Sequence, residues 1–324
     1  MRLLGCLVLT ACGLSAAAGV QAQFEGYPSK PVRFLVAFPP GGNADFIARI
    51  TGQRLAEALG KSFVIDNRGG AGGIIGEELA VKAVPDGYTI LLVSIAHVVN
   101  PALHKKLSYD PFKDLAPVSL VSAVPNALVV HNSVNVRSVP ELISLAKSKP
   151  GVLNYASSQG TSLHISGELF KSMAGVNIVN VNYKSGGVAL PDVEAGRVQM
   201  VFSVITTALS LARQGRTRVL AVTSAKRSQV APDLPAIAEF VPGYTSTGWQ
   251  GILAPAATPP RIIAKLAAAI AEGMRIPDVR GGLLAVGADP VGSSPEEFAV
   301  FRKAEFEKLS KLVVQAGIKS EQDR

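Results

Sequence analysis

Short apolar runs alternate with segments of helical periodicity along most of this chain. Runs rich in β-branched and aromatic residues predict buried strands, and apolar residues spaced three or four apart predict helices. The predicted strands are Val32–Phe38, Phe63–Asp66, Thr89–Val93, Ala116–Val121, Ala127–His131, Asn154–Ala156, Ile178–Val181, Met200–Ser203, Val219–Thr223 and Gly251–Ala254. The predicted helices cover residues 43–59, 73–84, 139–148, 162–173, 187–195, 206–212, 233–239, 260–273, 277–285 and 295–316. Alternating strands and helices form parallel sheets with helices on both faces, so we expect an α/β fold.

The first strand ends in a turn that suits an anion. Residues 39–42 read Pro-Pro-Gly-Gly, where the prolines cannot extend a strand ladder and the glycines permit tight backbone geometry. A helix follows, and Asn43 or Asp45 can cap its first turn. This order places free backbone N–H groups and the positive end of a helix at a strand end, where an anion binds favourably.

Hydroxyl groups gather at later strand ends. Ser94 and His97 follow the third predicted strand in a loop, where each suits either ligand contact or ordinary turn chemistry. Five hydroxyls crowd a turn and the helix start after it, where Thr161 can act as the cap. They are Ser157, Ser158, Thr161, Ser162 and Ser166. Capping explains one or two of them, so we expect this turn to bind a ligand.

A further strand end lies at residues 182–192. Tyr183 can reach across a cleft there, and Lys184 suits a solvated position. Turn residues also interrupt the alternation of strands and helices at 122–126 and 241–250. We interpret these two segments as crossings between two lobes. In open α/β sheets ligands bind beyond the carboxyl ends of strands, so a cleft between the lobes is the expected site.

Motifs of catalysis are absent from the sequence. The segment 68–76, RGGAGGIIG, has Ile75 where a dinucleotide fingerprint needs glycine, so we interpret it as close backbone approach and a helix start. Neither a nucleophile elbow after a strand, an H-E-x-x-H zinc motif nor a P-loop occurs. His164 lies one helical turn before Glu168 and is expected to be a packed histidine. We therefore expect no enzyme, no cofactor and no metal.

The amino terminus predicts export. Residues 1–22 contain Arg2 and an apolar run, and they end in small residues. This pattern is typical of a secretory signal that is cleaved after Ala22. The alternative is a lipobox that leaves a lipidated Cys12. Both cysteines, Cys6 and Cys12, lie in this segment, so disulfides and thiolate chemistry are excluded from the mature chain.

The formal charge is +8. This balance suits nucleic acid, an anionic surface or an acidic small molecule, or simply keeps the protein soluble. Export and the scattered basic residues disfavour nucleic acid.

Several segments resemble, in the same order, those of one family. They are Tyr27–Arg33, Phe38–Asp45, Asp66–Gly73, Pro85–Thr89, Asn154–His164, Tyr183–Gly187, Ala221–Ser228 and Gly248–Pro255. The family is that of the Bug or TctC receptors, the extracytoplasmic solute receptors of tripartite tricarboxylate transporters.

The resemblance implies a type II periplasmic binding protein with two α/β lobes, two crossover segments and a ligand cleft. Lobe 1 would comprise 23–124 and 249–324, and lobe 2 would comprise 125–248. It implies a monomer that binds a small carboxylate (a dicarboxylate, tricarboxylate, acidic amino acid or aromatic acid) and serves a membrane permease. The expected ligand contacts are Phe38, Pro39, Pro40, Gly41, Gly42, Asp45, Ser94, Ala96, Ser157, Ser158, Gly160, Thr161, Ser162, His164, Tyr183, Ala189 and Ser203.

Two positions depart from the family pattern. Asn43 stands where members commonly have Gly or Ser, and the Asp that many members carry is missing after the strand ending at Val204. Two other roles stay open: a ligand-sensing partner of a membrane sensor kinase, and a periplasmic enzyme on the same scaffold. An effector domain of a transcription regulator is excluded by the signal segment and the missing helix-turn-helix.

Overall fold

The structure is a computed structural model that describes residues 26–104, 106–158, 161–183 and 186–315. The predicted signal segment with Cys12, Lys184 and the predicted site residue Gly160 lie outside the described residues. The strands are β1 (Val32–Val36), β2 (Phe63–Asn67), β3 (Thr89–Ser94), β4 (Leu115–His131), β5 (Asn154–Ser157), β6 (Val179–Asn182), β7 (Met200–Val204), β8 (Thr217–Val222), β9 (Thr247–Pro255) and β10 (Asp289–Pro290).

The helices agree closely with the periodicity. They are α1 (Asn43–Leu59), α2 (Ile74–Val81), α3 (Ala96–Leu103), α4 (Val139–Ser148), α5 (Ser162–Ala174), α6 (Gly186–Glu194), α7 (Ile205–Arg213), α8 (Pro260–Gly273), α9 (Pro277–Ala285) and α10 (Pro295–Gln315). No helix in the described ranges is long and apolar enough to span a bilayer.

Two predicted elements are wrong. Helix α3 stands where a loop was expected, and it contains Pro101, which normally disfavours a helix interior. The helix predicted at 233–239 is reduced to a 3₁₀ turn, Ile237–Glu239. Here the carbonyl of Pro235 accepts from the N–H of Val222 at 2.8 Å, which holds this stretch beside β8 in an extended form.

The sheet is mixed rather than parallel. Its main path runs β2-β1-β3-β9-β4-β7-β5-β6, with β8 and β10 also paired to β4. The neighbours β2, β1 and β3 are parallel, as are β7, β5 and β6. Between these two groups β4 and β9 run antiparallel to each other and to their flanking strands.

The two predicted crossing segments meet at the centre of this sheet. One long strand, β4, replaces two predicted strands and the crossing between them. Val124 of β4 pairs with Gly248 of β9, and Pro125 pairs with Thr247. The first segment and the end of the second are therefore hydrogen-bonded strands that lie between the two parallel groups.

Helices cover both faces of the sheet. On one face Phe34 and Val36 of β1 pack in a cluster with Ile47 of α1 and Leu266 of α8. Leu35 points to the other face, into a separate apolar cluster. Parallel strands end at the same edge of a sheet, so the turns after β1 and β3 lie at one edge. For the same reason the turns after β5, β6 and β7 share an edge.

Candidate functional site

The turn after β1 opens helix α1 with backbone groups. Gly42 is the N-cap residue, with φ −87° and ψ 171°, and no side chain in the described structure caps the helix. The predicted cap Asn43 instead donates from Nδ2 to the carbonyl of Val286 at 3.0 Å. Phe38 is half-buried, whereas Pro39, Pro40, Gly41 and Gly42 are exposed. The turn thus presents the positive end of α1 to solvent.

Asp45 supports this turn from within the fold. It is 3% exposed, and its carboxylate accepts from the N–H of Gly41 at 3.0 Å, Arg49 Nε at 3.0 Å and Asn67 Nδ2 at 3.1 Å. Burial would raise the pKa of Asp45, but the hydrogen bonds from Arg49, Gly41 and Asn67 outweigh it and lower the pKa. An ionised Asp45 therefore fixes the backbone of the turn.

The glycine-rich segment packs behind the same turn. A Cβ at Gly69 would lie 2.9 Å from the backbone nitrogen of Pro39, and one at Gly76 would lie 2.9 Å from Cα of Ala37. Real Cβ atoms do not approach so closely, so these positions require glycine. This confirms the prediction of close backbone approach before a helix.

The side chains at the end of β3 form bonds within the fold. Ser94 Oγ accepts from the N–H of Ala96 at 3.3 Å, a local bond at the start of α3. His97 is 1% exposed, its Nδ1 lies 2.9 Å from the Glu77 carboxylate, and its Nε2 accepts from Arg302 Nη1 at 3.2 Å. His97 is therefore a member of a buried polar group in the fold.

The hydroxyl-rich turn after β5 opens α5 in the same way as the first turn opens α1. Thr161 is the N-cap residue, with φ −86° and ψ 166°, and no described side chain caps this helix. Its hydroxyl donates backward to the carbonyl of Ser158 at 2.6 Å. Ser157 and Ser158 are buried, and Ser157 Oγ donates to Asn180 Oδ1 at 2.7 Å. Thr161 is exposed and Ser162 half-buried, so these two lie at the surface of the turn.

His164 packs inside the fold, as expected. It lies on α5 and is 5% exposed. Burial lowers the pKa of His164, and this effect outweighs the negative charge of Glu168, which raises the pKa.

Three other expected ligand contacts are Tyr183, Ala189 and Ser203. The hydroxyl of Tyr183 donates to Asp192 at 2.8 Å, and Arg197 binds the other oxygen of that carboxylate at 2.8 Å. Burial, together with this bond to Asp192, raises the pKa of Tyr183. Ala189 is fully buried on α6, and Ser203 of β7 is 4% exposed. Tyr183 thus binds its own strand–helix unit rather than reaching across a cleft.

A buried polar network lies at the crossing strands, and the sequence analysis did not predict it. Ser166 Oγ lies 2.9 Å from Ser246 Oγ and accepts from Asn126 Nδ2 at 3.2 Å. The backbone N–H of Asn126 donates to Thr223 Oγ1 at 2.9 Å. The polar residues within the two predicted crossings were the available signal. The network joins α5, whose start forms the second turn, to both crossing segments.

The two helix starts differ in chemistry from a metal site, since backbone N–H groups and hydroxyls are what their described residues offer. The described residues contain no group of three or more His, Cys, Asp or Glu side chains that could hold a metal ion. Helix N-termini with adjacent hydroxyls are suited to a carboxylate.

Comparisons with known proteins agree with this architecture. The TctC family model, described as the tripartite tricarboxylate transporter family receptor, matches residues 47–318. The protein BugT of Bordetella pertussis is 34% identical over 310 residues, which span 94% of this chain and 95% of BugT.

Solved structures of the same kind superpose on nearly the whole chain. A Rhodopseudomonas palustris protein with adipate is 38% identical, with a TM-score of 0.73 over 90% of this chain and 99% of that one. MatC of the same species, with bound malate, is 30% identical, with a TM-score of 0.68 over 89% and 100% of the two chains. The chain therefore belongs to the TctC family of periplasmic solute-binding receptors, which are not enzymes.

Proposed function

We propose that this receptor captures a small organic dicarboxylate between the turn at 38–42 and the turn at 157–162 and delivers it to a tripartite tricarboxylate transporter permease. The observation that carries the proposal is the pair of helix starts at Gly42 and Thr161, both extended and without a capping side chain in the described residues. Each offers backbone N–H groups and the positive end of a helix to one carboxylate.

Two anion sites favour a ligand with two carboxylates. The similar R. palustris proteins were solved with adipate and with malate, and both of these molecules carry two carboxylates. Arg49, a cation beside the first turn, is already paired with Asp45 at 3.0 Å. Recognition by backbone dipoles, hydroxyls and water therefore replaces an arginine clamp.

Binding would also drive closure of two lobes. Lobe 1 would comprise 23–124 and 249–324, lobe 2 would comprise 125–248, and β4 with β9 would form the hinge. A ligand that contacts both turns binds the closed state more tightly, so it shifts the population towards that state. The receptor would act as a monomer in the periplasm after cleavage behind Ala22.

The test is a thermal-shift screen followed by calorimetry. Protein unfolded and refolded to remove carried-over ligand is melted with aliphatic dicarboxylates, tricarboxylates, acidic amino acids, aromatic acids and nicotinate. A ligand at 100 times its Kd stabilises the native state by about 2.7 kcal/mol, which a melt resolves. Stabilisation by dicarboxylates supports the proposal, and stabilisation by none of the panel contradicts it.

Variants then locate the site. A Cβ at Gly42 would meet nothing closer than the Pro39 carbonyl at 3.8 Å, so Gly42→Val fits the fold while covering the N–H groups. We expect this variant and Thr161→Ala each to weaken binding, Gly42→Val by at least about tenfold. Gly281→Val is the matched control, since Gly281 is an exposed glycine of α9 with open space around it. Unchanged affinity in both site variants would disprove this assignment.

A further inference from the structure

Strand β2 forms an open edge of the sheet. Among the described strands it pairs with β1 alone. The N–H of Val32 donates to the Ser62 carbonyl at 2.9 Å, and the N–H of Arg68 donates to the Val36 carbonyl at 2.8 Å. In a parallel strand the backbone groups of every second residue bond to the same neighbouring strand. The backbone groups of the even-numbered residues of β2 therefore face β1. The backbone groups of residues 63, 65 and 67 consequently face outward.

The five residues of this edge strand lack two residue types that commonly protect such edges. Natural edge strands commonly carry lysine or proline, which block the addition of another strand. The sequence of β2 is Phe-Val-Ile-Asp-Asn, with neither residue. Val64 is 54% exposed, and it lies in a shallow depression of about 510 Å³ lined by residues 31–33, 64–66 and Arg68. We call residues 63–68 with this depression the β2 edge.

The charge of the β2 edge selects an acidic partner. Arg33 donates to Asp66 Oδ2 from Nε at 2.9 Å and from Nη2 at 2.7 Å, and Arg68 Nε donates to Oδ1 at 2.8 Å. One carboxylate thus faces two guanidinium groups, whose side chains are 40% and 53% exposed. The cluster keeps one uncompensated positive charge at the surface, and an incoming carboxylate would neutralise it.

The β2 edge also lies beside the candidate ligand turn. Arg68 is followed by Gly69, whose missing side chain allows contact with Pro39. A partner bound along β2 would therefore sit next to the carboxyl ends of β1 and β2, where the ligand is proposed to bind. A permease segment bound there would lie beside the turn from which the solute is proposed to be released.

We propose that the β2 edge docks the transporter: an extended, acidic segment on the periplasmic face of the permease adds as a strand beside β2. The outward N–H and C=O groups at 63, 65 and 67 would bind its backbone, Val64 would pack against its side chains, and Arg33 and Arg68 would pair with its carboxylates. The inference rests on the proposed transport role, because it identifies the docking surface of that partner.

The experiment measures binding of the purified receptor to both permease subunits from the same genome, held in lipid nanodiscs. We expect Val64→Lys and Arg68→Glu each to weaken permease binding by at least about tenfold, through a buried charge and like-charge repulsion respectively. Val300→Lys and Arg216→Glu are the matched controls, because Val300 is 71% exposed on α10 and Arg216 is exposed. Hydrogen exchange should show new protection of peptides covering 63–67 upon complex formation.

Carboxylate binding by the same variants is measured in parallel with the thermal-shift panel. Loss of permease binding in both edge variants, with controls and carboxylate affinity unchanged, supports docking at the β2 edge. Wild-type affinity for the permease in both edge variants overturns it, and so does a wild-type receptor that binds no permease. A third outcome is that no carboxylate stabilises the receptor although both edge variants bind the permease more weakly. That outcome contradicts the proposed carboxylate ligand and supports docking at the β2 edge.

Discussion

Replacing Asp45 by asparagine removes a buried negative charge while preserving the shape of the side chain. In the wild-type structure the two carboxylate oxygens accept three hydrogen bonds, from Gly41 and Arg49 on one oxygen and from Asn67 on the other. An asparagine has one acceptor oxygen. Whichever way its amide is turned, its NH2 group faces at least one donor.

The magnitude follows from the donors left unsatisfied. A hydrogen bond to a charged group contributes about 1.5–3 kcal/mol, and a buried donor without a partner costs about 1–3 kcal/mol. We therefore expect Asp45→Asn to lower the free energy of unfolding by about 2–4 kcal/mol at pH 7. Arg49→Met is the control, because Arg49 is 54% exposed and its loss leaves Asp45 bonded to Gly41 and Asn67. We expect that control to cost less than about 1 kcal/mol.

The pH dependence gives a sharper test. The folded-state pKa of Asp45 is lower than its ordinary value, so the ionised group stabilises the fold above the unfolded pKa. That contribution is lost as the pH falls through the folded pKa. The stability gap between wild type and Asp45→Asn should therefore be constant near neutrality and narrow in acid below the ordinary aspartate pKa. Urea titrations followed by circular dichroism at several pH values measure it. Equal stability at pH 7, or a stability gap that does not change in acid, would show that the charge of Asp45 does not stabilise the fold.

Three further variants test other parts of the fold by urea denaturation. Gly167→Ala places a Cβ 2.2 Å from the Tyr155 ring, and overpacking should lower stability by about 1–3 kcal/mol; a wild-type midpoint would contradict this. Arg302→Met removes the buried positive charge that offsets the charge of Glu77, and it should lower the free energy of unfolding by about 3 kcal/mol. An unchanged urea midpoint would show that the buried group of Arg302, His97 and Glu77 does not stabilise the fold. Ser166→Ala removes the hydroxyl at the crossing network and should cost about 1 kcal/mol; a stability gain would show that the network is strained.

Local pattern was enough to predict most elements and the Pro-Pro-Gly-Gly turn that precedes α1. Helix α1 was predicted with its observed bounds, Asn43–Leu59, because apolar spacing and a Pro-Pro-Gly-Gly stop act within a few residues. The close packing of the glycine-rich segment also followed from a local motif. Family resemblance added the receptor fold, which composition and spacing alone left at the level of an α/β protein.

Tertiary structure decided strand direction and the partners of polar side chains. The antiparallel pair β4 and β9 joins segments far apart in sequence, so no local period could show its direction. Helix α3 persists despite Pro101, with His97 bound to Glu77 and Arg302 inside the protein. Tyr183 finds Asp192 on the following helix, and Ser166 finds Ser246 across the crossings. A hydroxyl or imidazole offers the same donors to a ligand or to the fold, and only the three-dimensional position of its partner decides which one it binds.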